Sequence, residues 1–296
     1  RCDWGWSTHV YLVAPRSLQK IELTQETFID SSAFHGMNRL TTVIFNEGIT
    51  QIGSTWNYSN ADRHTWGAFE GCTSLTNVIL PQSLTFIGVR AFLSCTSIKE
   101  IVIPENVTTI HVYAFYGCTG LTYVRMENKV FGVRMFESCT NLVDVEVKEE
   151  FNHIPEYCFL NCSKLKNFYY SEETKLAGGM HFVPNIRIDQ YAFQNCTSIV
   201  TTEFYTSERV NDVSGIAQTI IQNNAFQNCN GMTSTVIYNA QIGTSAFASC
   251  SKLETATIHA GTIGASAFAN LAKLTFLTMD EGVTSIGANA FQQTGI

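Results

Sequence analysis

Near its middle the chain reads Ile110-His111-Val112-Tyr113-Ala114-Phe115-Tyr116-Gly117-Cys118-Thr119-Gly120-Leu121-Thr122-Tyr123-Val124-Arg125-Met126, and this pattern returns along almost its whole length. The Phe of the pattern recurs at Phe34, Phe69, Phe92, Phe115, Phe136, Phe159, Phe193, Phe226, Phe247, Phe268 and Phe291. Most separations are 21–23 residues and three are 33–35 residues. A short period with a few insertions is typical of a repeat protein.

Two further positions keep the register of the repeat. Six residues after the Phe, every copy that extends so far has Leu, Ile or Met. Three residues after it, eight copies have Cys: Cys72, Cys95, Cys118, Cys139, Cys162, Cys196, Cys229 and Cys250. Within one unit, Ile87, Ala91 and Cys95 recur every four residues, which predicts a helical turn. The run Ile101-Val102-Ile103 is rich in β-branched residues and predicts a short strand.

A unit of this length cannot bury its apolar face alone, but stacked units share one continuous core. The sequence therefore predicts an α/β repeat solenoid of about eleven coils over residues 21–296. We expect a parallel β-sheet on one face, with strands about 4.8 Å apart, and short helical turns on the other.

Four segments depart from the repeat. Residues 1–20 predict an N-terminal cap or degenerate coil, or alternatively a contact with a preceding domain. Insertions lie near residues 55–66, 171–187 and 205–218. Insertions in repeat proteins map to loops on one face, often the binding face.

The first insertion is the most aromatic, and it contains Trp56, Tyr58 and Trp66 among small polar residues. This composition is found in adaptable binding loops, and equally in surface loops that pack on themselves. At the other end, Ile296 stops one residue short of the position where earlier units have their Leu, Ile or Met. We expect the native polypeptide to continue, or the last coil to pack on a neighbour.

The composition argues against two kinds of partner. Charged residues are only 15% of the chain and the formal net charge is −7, whereas nucleic-acid binding needs a basic face. No apolar run approaches the length of a membrane-spanning helix, so we predict no membrane insertion within this segment.

The ten cysteines favour core packing over a disulfide framework. Eight of them occupy one repeat position, and Cys is among the residues most often fully buried. Neighbouring coils would bring these cysteines within disulfide reach, so bridging remains an alternative. Parallel side chains in register give a poor torsion for a bridge, and we therefore expect free thiols.

The sequence contains no recognisable catalytic or metal-binding constellation. The seven His residues are scattered, and none stands at metal-ligand spacing from another. The pair Cys158 and Cys162 includes a repeat Cys expected to face the core. The glycines follow the coil period and not a phosphate-loop spacing. We predict no catalytic residues, no metal and no cofactor.

The alternation within the strands predicts which side chains face outward. The expected outward pairs are Asn77 and Ile79, Glu100 and Val102, Tyr123 and Arg125, Asp144 and Glu146, Asn167 and Tyr169, Thr201 and Glu203, Ser234 and Val236, Thr255 and Thr257, and Phe276 and Thr278. The middle of this stripe is charged and aromatic, and its C-terminal part is mostly Thr. Tyr and Arg are enriched among residues that dominate binding energy. The predicted binding centre is Tyr123, Arg125, Asp144, Glu146 and Tyr169; a merely solvated sheet face is the alternative.

The fullest copy of the repeat is Leu84-Thr85-Phe86-Ile87-Gly88-Val89-Arg90-Ala91-Phe92-Leu93-Ser94-Cys95, and Val283-Thr284-Ser285-Ile286-Gly287-Ala288-Asn289-Ala290-Phe291 repeats it near the end. This pattern resembles the BspA-like, Treponema pallidum-type leucine-rich repeat. The resemblance covers about residues 21–296 and implies a right-handed leucine-rich-repeat superhelix.

The resemblance also implies a function. It points to a secreted or cell-surface protein of a host-associated microbe that binds a protein or glycoprotein ligand, in adhesion to host or matrix proteins, without catalysis. The alternative is a structural scaffold or spacer domain within a larger multidomain protein or assembly. The repeat pattern is specific for the fold and weak for function, because such repeats serve many partners.

Overall fold

The computed structural model describes residues 15–24, 26–55, 66–148, 151–170, 179–182, 185–204 and 218–296. Within these residues the chain forms twenty strands, and all the strand pairs among them are parallel. The strands are β1 (Lys20–Leu23), β2 (Phe28–Ile29), β3 (Thr42–Phe45), β4 (Gln51–Ile52), β5 (Asn77–Ile79), β6 (Phe86–Ile87), β7 (Glu100–Ile103), β8 (Thr109–Ile110), β9 (Tyr123–Met126), β10 (Asp144–Val147), β11 (His153–Ile154), β12 (Asn167–Tyr170), β13 (Gly179–Phe182), β14 (Arg187–Ile188), β15 (Thr201–Phe204), β16 (Thr219–Ile221), β17 (Ser234–Ile237), β18 (Ala240–Ile242), β19 (Thr255–Ile263) and β20 (Phe276–Ile286).

The predicted parallel sheet is confirmed. One set of strands, which we call the main sheet, runs β1-β3-β5 and then β7-β9-β10-β12-β13-β15-β17-β19-β20. Alternate residues of each strand face the core. In β9, Val124 and Met126 are fully buried, whereas Tyr123 and Arg125, which alternate with them, are half-buried. The same in-and-out alternation appears in β3, β5, β7, β10, β15 and β17.

A second ribbon of strands, absent from the sequence-based prediction, forms another side of each coil. It runs β2-β4-β6-β8 and then β11-β14-β16-β18, and it joins the main sheet where β19 and β20 span both. Its strands are only two or three residues long, with an apolar residue such as Ile52 or Ile87 pointing into the core. Runs of two residues are too short to show a period of two, so the sequence gives no strand signal there.

The predicted helical turns are wrong, because the described residues contain no helix. In the segment around each repeat Phe, which we call the turn ribbon, the backbone N–H groups alternate between two kinds of partner. Ala91 N–H donates to the Gly88 carbonyl within its own coil, whereas Phe92 N–H donates to the Ala114 carbonyl of the next coil. A helix would direct every N–H along its own axis, so it could not make these bonds between coils.

Left-handed residues produce this alternation. Arg90 and Ser94, two residues before and after Phe92, have φ of 54° and 57°. The position two residues after the repeat Phe is left-handed in every copy: Gly36, Gly71, Ser94, Gly117, Ser138, Asn161, Asn195, Asn228, Ser249, Asn270 and Gln293. A left-handed residue interrupts a right-handed helix, and Gly and Asn tolerate this conformation best. The recurrence of Gly, Asn and Ser was the available signal against a helix.

The repeat Phe residues form one continuous stack inside the turn ribbon. Successive rings from Phe34 to Phe291 lie 5.0–5.6 Å apart, centroid to centroid, and are close to parallel. All are fully buried except Phe34 and Phe291, which are half-buried at the two ends. Stacked aromatic pairs stabilise by about 0.5–1.5 kcal/mol beyond the area that they bury.

The repeat Cys residues also bind one coil to the next. Each thiol donates to the Phe carbonyl of the preceding coil, as in Cys95 to Phe69 and Cys118 to Phe92, with sulfur–oxygen distances of 3.1–3.3 Å. All nine described cysteines are buried and free, as expected; Cys2 lies outside the described residues. A small side chain with a weak donor therefore suits this position better than a purely apolar one.

The insertions differ in what the structure describes. Within residues 171–187, expected to be a loop, β13 adds a strand to the main sheet between β12 and β15. The turn ribbon has no matching addition, since Phe159 stacks directly on Phe193. The insertion near residues 205–218 lies almost wholly outside the described residues, as does most of segment 1–20.

The Phe stack generates a first prediction. Replacing Phe115 by Ala should lower the free energy of unfolding by about 3–5 kcal/mol, because it leaves a cavity between the rings of Phe92 and Phe136. Chemical denaturation measures this change. Phe276→Ala is the matched control, since its side chain is 70% exposed and its loss should change stability little. A midpoint for Phe115→Ala equal to that of the parent would contradict the role of the stack.

The left-handed positions generate a second prediction. Ser138 has φ of 62°, so Ser138→Val should destabilise the protein by about 1–2 kcal/mol, because a side chain crowds the carbonyl in this conformation. Ser138→Gly is the control and should leave the stability unchanged or slightly higher, as Gly117 occupies the same position in the preceding coil. Equal thermal midpoints for the two variants would show that the backbone does not hold this conformation.

Candidate binding face

The main-sheet register brings the predicted binding centre together. Asp144 lies between Tyr123 and Asn167 on neighbouring strands, and Glu146 lies between Arg125 and Tyr169. Their side chains share the outward face because the inward positions Val124, Val145 and Phe168 are fully buried. We call Tyr123, Arg125, Asp144, Glu146 and Tyr169 the sheet patch. The alternation pattern predicts their outward direction and their Tyr, Arg and acidic composition predicts the contact role; the structure places the five residues side by side.

Hydrogen bonds and ion pairs hold the sheet patch in one arrangement. The Tyr123 hydroxyl donates to Glu146 Oε2. Arg125 Nε lies 3.7 Å from Glu146 Oε1 and 3.5 Å from Glu127 Oε1. Burial, and then the hydrogen bond to Glu146 with its negative charge, raise the pKa of Tyr123, so its hydroxyl stays protonated. Partly exposed ion pairs contribute only about 0–1 kcal/mol each to stability, so the network orients these side chains more than it stabilises the fold.

Apolar side chains border the sheet patch on its N-terminal side. Val102 pairs with Arg125 across β7 and β9 and is 40% exposed, while Ile79 of β5 is 74% exposed. These two side chains add exposed apolar area on this side of the aromatic and charged patch. The border was included in the predicted outward stripe but not in the predicted centre.

On the C-terminal side the inserted strand β13 contributes a residue that the sequence-based prediction missed. His181 follows Met180, which pairs with Phe168, so His181 lies beside Tyr169 on the outward face. Its Nδ1 is 3.6 Å from Glu203 Oε2 on β15. The run Gly179-Met180-His181-Phe182 alternates in the manner of a strand, with Met180 and Phe182 fully buried, and this was the available signal.

The outward face around the sheet patch is acidic. Between β7 and β15 its outward positions include four carboxylates, from Glu100, Asp144, Glu146 and Glu203, but one guanidinium, from Arg125. At the adjacent strand ends, Lys148 Nζ lies 3.5 Å from Glu105 Oε2, so that cation is also paired within the chain. A face of this charge favours a partner that carries positive charge.

The first insertion does not border the sheet patch where the structure describes it. Trp66 stacks on His35, with ring centroids 4.3 Å apart, and its carbonyl accepts a hydrogen bond from Ser32 Oγ. Ser32 and His35 belong to the turn ribbon, so Trp66 lies on that side of the coil and not on the main sheet. Trp56 and Tyr58, predicted with it as binding residues, lie outside the described residues.

Family models of known proteins match residues 11–61, 66–185 and 183–296, as six copies of the BspA type leucine-rich repeat region. The chain belongs to this family. A search of the curated proteins found no match. The leucine-rich repeat fold of the family suggests a role in binding proteins.

Three solved structures illustrate the range of similar proteins. A leucine-rich repeat protein from Bacteroides ovatus is 22% identical, with 94% of this chain and 77% of that chain covered and a TM-score of 0.48. The T. pallidum leucine-rich repeat protein is 24% identical, and the match covers 49% of this chain and 77% of that chain, with a TM-score of 0.35. The pneumococcal vaccine antigen PcpA is 17% identical, and the match covers 90% of this chain and 67% of that chain, with a TM-score of 0.45. At these TM-scores the three structures do not bear on function.

In this BspA-type solenoid the turn ribbon carries a second row of large side chains. The Arg134 guanidinium lies 3.8 Å from the Tyr157 ring centroid and 5.6 Å from that of Tyr113, and it bonds Glu137 at 2.8 Å. The Tyr157 ring in turn stacks on Tyr191 at 5.0 Å. Arg134 and the three tyrosines occupy the left-handed position two residues before the repeat Phe, within the segment predicted as a helical turn.

The described residues offer little for covalent or metal chemistry. Among them, no group of three or more His, Cys, Asp or Glu side chains is arranged to hold a metal ion. Burial raises the pKa of Cys72 and of Cys118 to about 12, and raises the pKa of Cys158 and Cys162 well above the usual value. A buried thiol that stays protonated is a poor nucleophile and a poor metal ligand.

Over the described ranges, no helix is long and apolar enough to cross a bilayer.

The thiols generate a third prediction. Folded protein should react slowly with a thiol reagent at pH 8, because the described cysteines are buried. Denatured, non-reduced protein should react rapidly at nearly all ten cysteines. Absorbance of the released reagent group measures both rates. The Cys118→Ala variant, which should lose one equivalent only in the denatured titration, is the control. Rapid labelling of several thiols in the folded protein, or disulfides found by mass mapping, would contradict this prediction.

Proposed function

We propose that this protein is a non-catalytic binding solenoid whose sheet patch contacts a protein or glycoprotein ligand. The observation that supports it is the register of β9, β10 and β12, which aligns two tyrosines, an arginine and two carboxylates on one rigid surface. Repeat solenoids present side chains at fixed spacing over an extended face, which suits the recognition of a macromolecule.

The composition of the patch favours a protein partner over a small molecule. Tyr and Arg are enriched at binding hot spots because they bury large areas and still form hydrogen bonds. Here Tyr123 and Arg125 are already oriented by Glu146, so little conformational entropy is lost when a partner binds. The exposed Ile79 and Val102 supply apolar area beside them.

The charge of the face defines the partner further. The surplus of carboxylates on β7 to β15 favours a partner surface with lysine or arginine side chains, which would also accelerate association at low salt. Adhesion to host or matrix proteins, by a secreted or cell-surface protein, is the role that we propose for this binding, and it is consistent with membership of the BspA-type family.

A fourth prediction tests the sheet patch. A screen of extracellular-matrix and cell-surface proteins should yield a ligand for the parent protein. Replacing Tyr123, Arg125 and Tyr169 together by Ala should then weaken its binding at least tenfold, about 1.4 kcal/mol, in surface plasmon resonance. The loss of stability should be small, because all three side chains are only half-buried.

The control for this experiment is the pair Thr255→Ala and Thr257→Ala, which are outward residues of β19 on the same sheet. Their replacement should change the affinity much less. Equal effects of the two sets, or a screen in which the parent binds nothing, would contradict the proposal. Those outcomes are the ones that a scaffold or spacer domain predicts.

A further inference from the structure

A polar groove on the turn ribbon has no place in the proposed protein-binding role. It runs across the coils of Phe136 to Phe226, and its lining residues in the described part of the chain all carry hydroxyl or amide side chains. Its lining residues are Thr140, Asn161, Ser163, Asn195, Thr197, Asn228 and Asn230. Among the residues that the structure describes, no charged or apolar side chain lines it, which distinguishes it from the acidic face of the main sheet.

A hydrogen-bonded ladder of three asparagines runs along the groove. Asn195 Nδ2 donates to Asn161 Oδ1 at 2.8 Å, and Asn228 Nδ2 donates to Asn195 Oδ1 at 3.0 Å. A carboxamide has two N–H donors and two acceptor lone pairs. The middle residue of the ladder therefore uses one of each, and it keeps one donor and one acceptor for a ligand.

The backbone fixes the direction of these amides. Asn161, Asn195 and Asn228 are all left-handed, with φ of 63°, 63° and 62°. The coils beneath them are held by the stack of Phe159, Phe193 and Phe226, whose rings are 5.2 and 5.0 Å apart. Donor and acceptor groups are thus presented coil by coil, at about the interval of the Phe rings, without the entropy loss of a flexible loop.

Polar side chains flank the ladder residues along the chain. Two residues after Asn195, the Thr197 hydroxyl donates to the Ser163 carbonyl at 3.1 Å, which leaves the hydroxyl oxygen able to accept. Directly before Asn195, Gln194 Nε2 donates to Gln227 Oε1 at 2.6 Å. In the same turns of the ribbon, the half-buried Tyr157 and Tyr191 rings stack on each other.

We propose that this groove binds an extended, uncharged glycan. Each sugar hydroxyl is both a donor and an acceptor, so it matches the free donor and acceptor of a ladder amide. Successive sugars of an extended β-1,4-linked chain advance by about one ring length, which is close to the interval between coils. Because each sugar is turned over relative to the last, the same edge of the chain returns at every second coil. The absence of charged lining residues disfavours anionic polymers, whose charges would lose hydration without compensation. An extended peptide presents the same side again after about twice the strand rise of 3.3 Å, which matches neither one coil interval nor two.

The fifth prediction follows from this proposal. The full chain, titrated with cellohexaose and with chitohexaose by isothermal calorimetry, should bind at least one of them. The affinity should rise from the disaccharide to the hexasaccharide, because a longer chain reaches more coils. Maltohexaose, which is α-linked and curved, should bind at least about tenfold more weakly.

The test variant replaces the ladder amides without changing the backbone. Asn161, Asn195 and Asn228 are replaced together by Gly, which tolerates left-handed φ and occupies the same repeat position at Gly117. Binding of the hexasaccharide should weaken at least about tenfold. The matched control is Asn270→Gly, which has φ of 61° at the same position of a later coil but does not line the groove, and its affinity should be unchanged.

Two further measurements keep the outcome decisive. Thr197→Val preserves side-chain shape and should weaken binding on its own, so it replaces the triple variant if circular dichroism shows that the latter does not fold. The sheet-patch variant of Tyr123, Arg125 and Tyr169 should retain full glycan affinity, which separates this site from the protein-binding one. The proposal is overturned if the parent binds none of the hexasaccharides at millimolar concentration, if maltohexaose binds as well as the others, or if a folded groove variant binds as the parent does.

Discussion

The structure depends on the hydrogen bonds that each coil donates to the next along the turn ribbon. Phe92 N–H to Ala114 O and Phe115 N–H to Met135 O are two examples, both 2.8–3.0 Å long. They set the interval at which the Phe rings stack and the Cys thiols reach the preceding carbonyl. The main sheet and the second ribbon are also parallel ladders, so neighbouring coils are hydrogen-bonded along three sides. Side chains on every face therefore recur at one regular spacing.

That regularity gives the solenoid two chemically different faces. On the main sheet, outward residues vary from coil to coil, so Tyr123, Arg125 and Glu146 form a local patch of mixed chemistry. On the turn ribbon, outward residues repeat, so Asn161 and Asn195 form a ladder. The first kind of surface suits a partner with a unique shape, and the second suits a partner that is itself a polymer.

Several features could be predicted from the sequence because they depend only on the spacing of apolar residues. The repeat, the inward Phe and Cys positions and the outward sheet patch all follow from it. The helical turns could not be predicted correctly, because Ile87, Ala91 and Cys95 are buried in a turn of left- and right-handed residues just as they would be on a helix. Apolar spacing reports burial, and it does not report which carbonyl receives each N–H.

The sequence by itself determined that the chain is a stack of coils with a Phe core, since a unit this short must bury its apolar side against a copy of itself. Only the tertiary structure decided which residues meet across coils. In the structure His181 lies beside Tyr169, and Trp66 lies on the turn ribbon and not next to the sheet patch. The three asparagines of neighbouring coils form a hydrogen-bonded ladder. These placements depend on how insertions are accommodated and on bonds between residues 21 to 38 positions apart, and neither leaves a local pattern in the sequence.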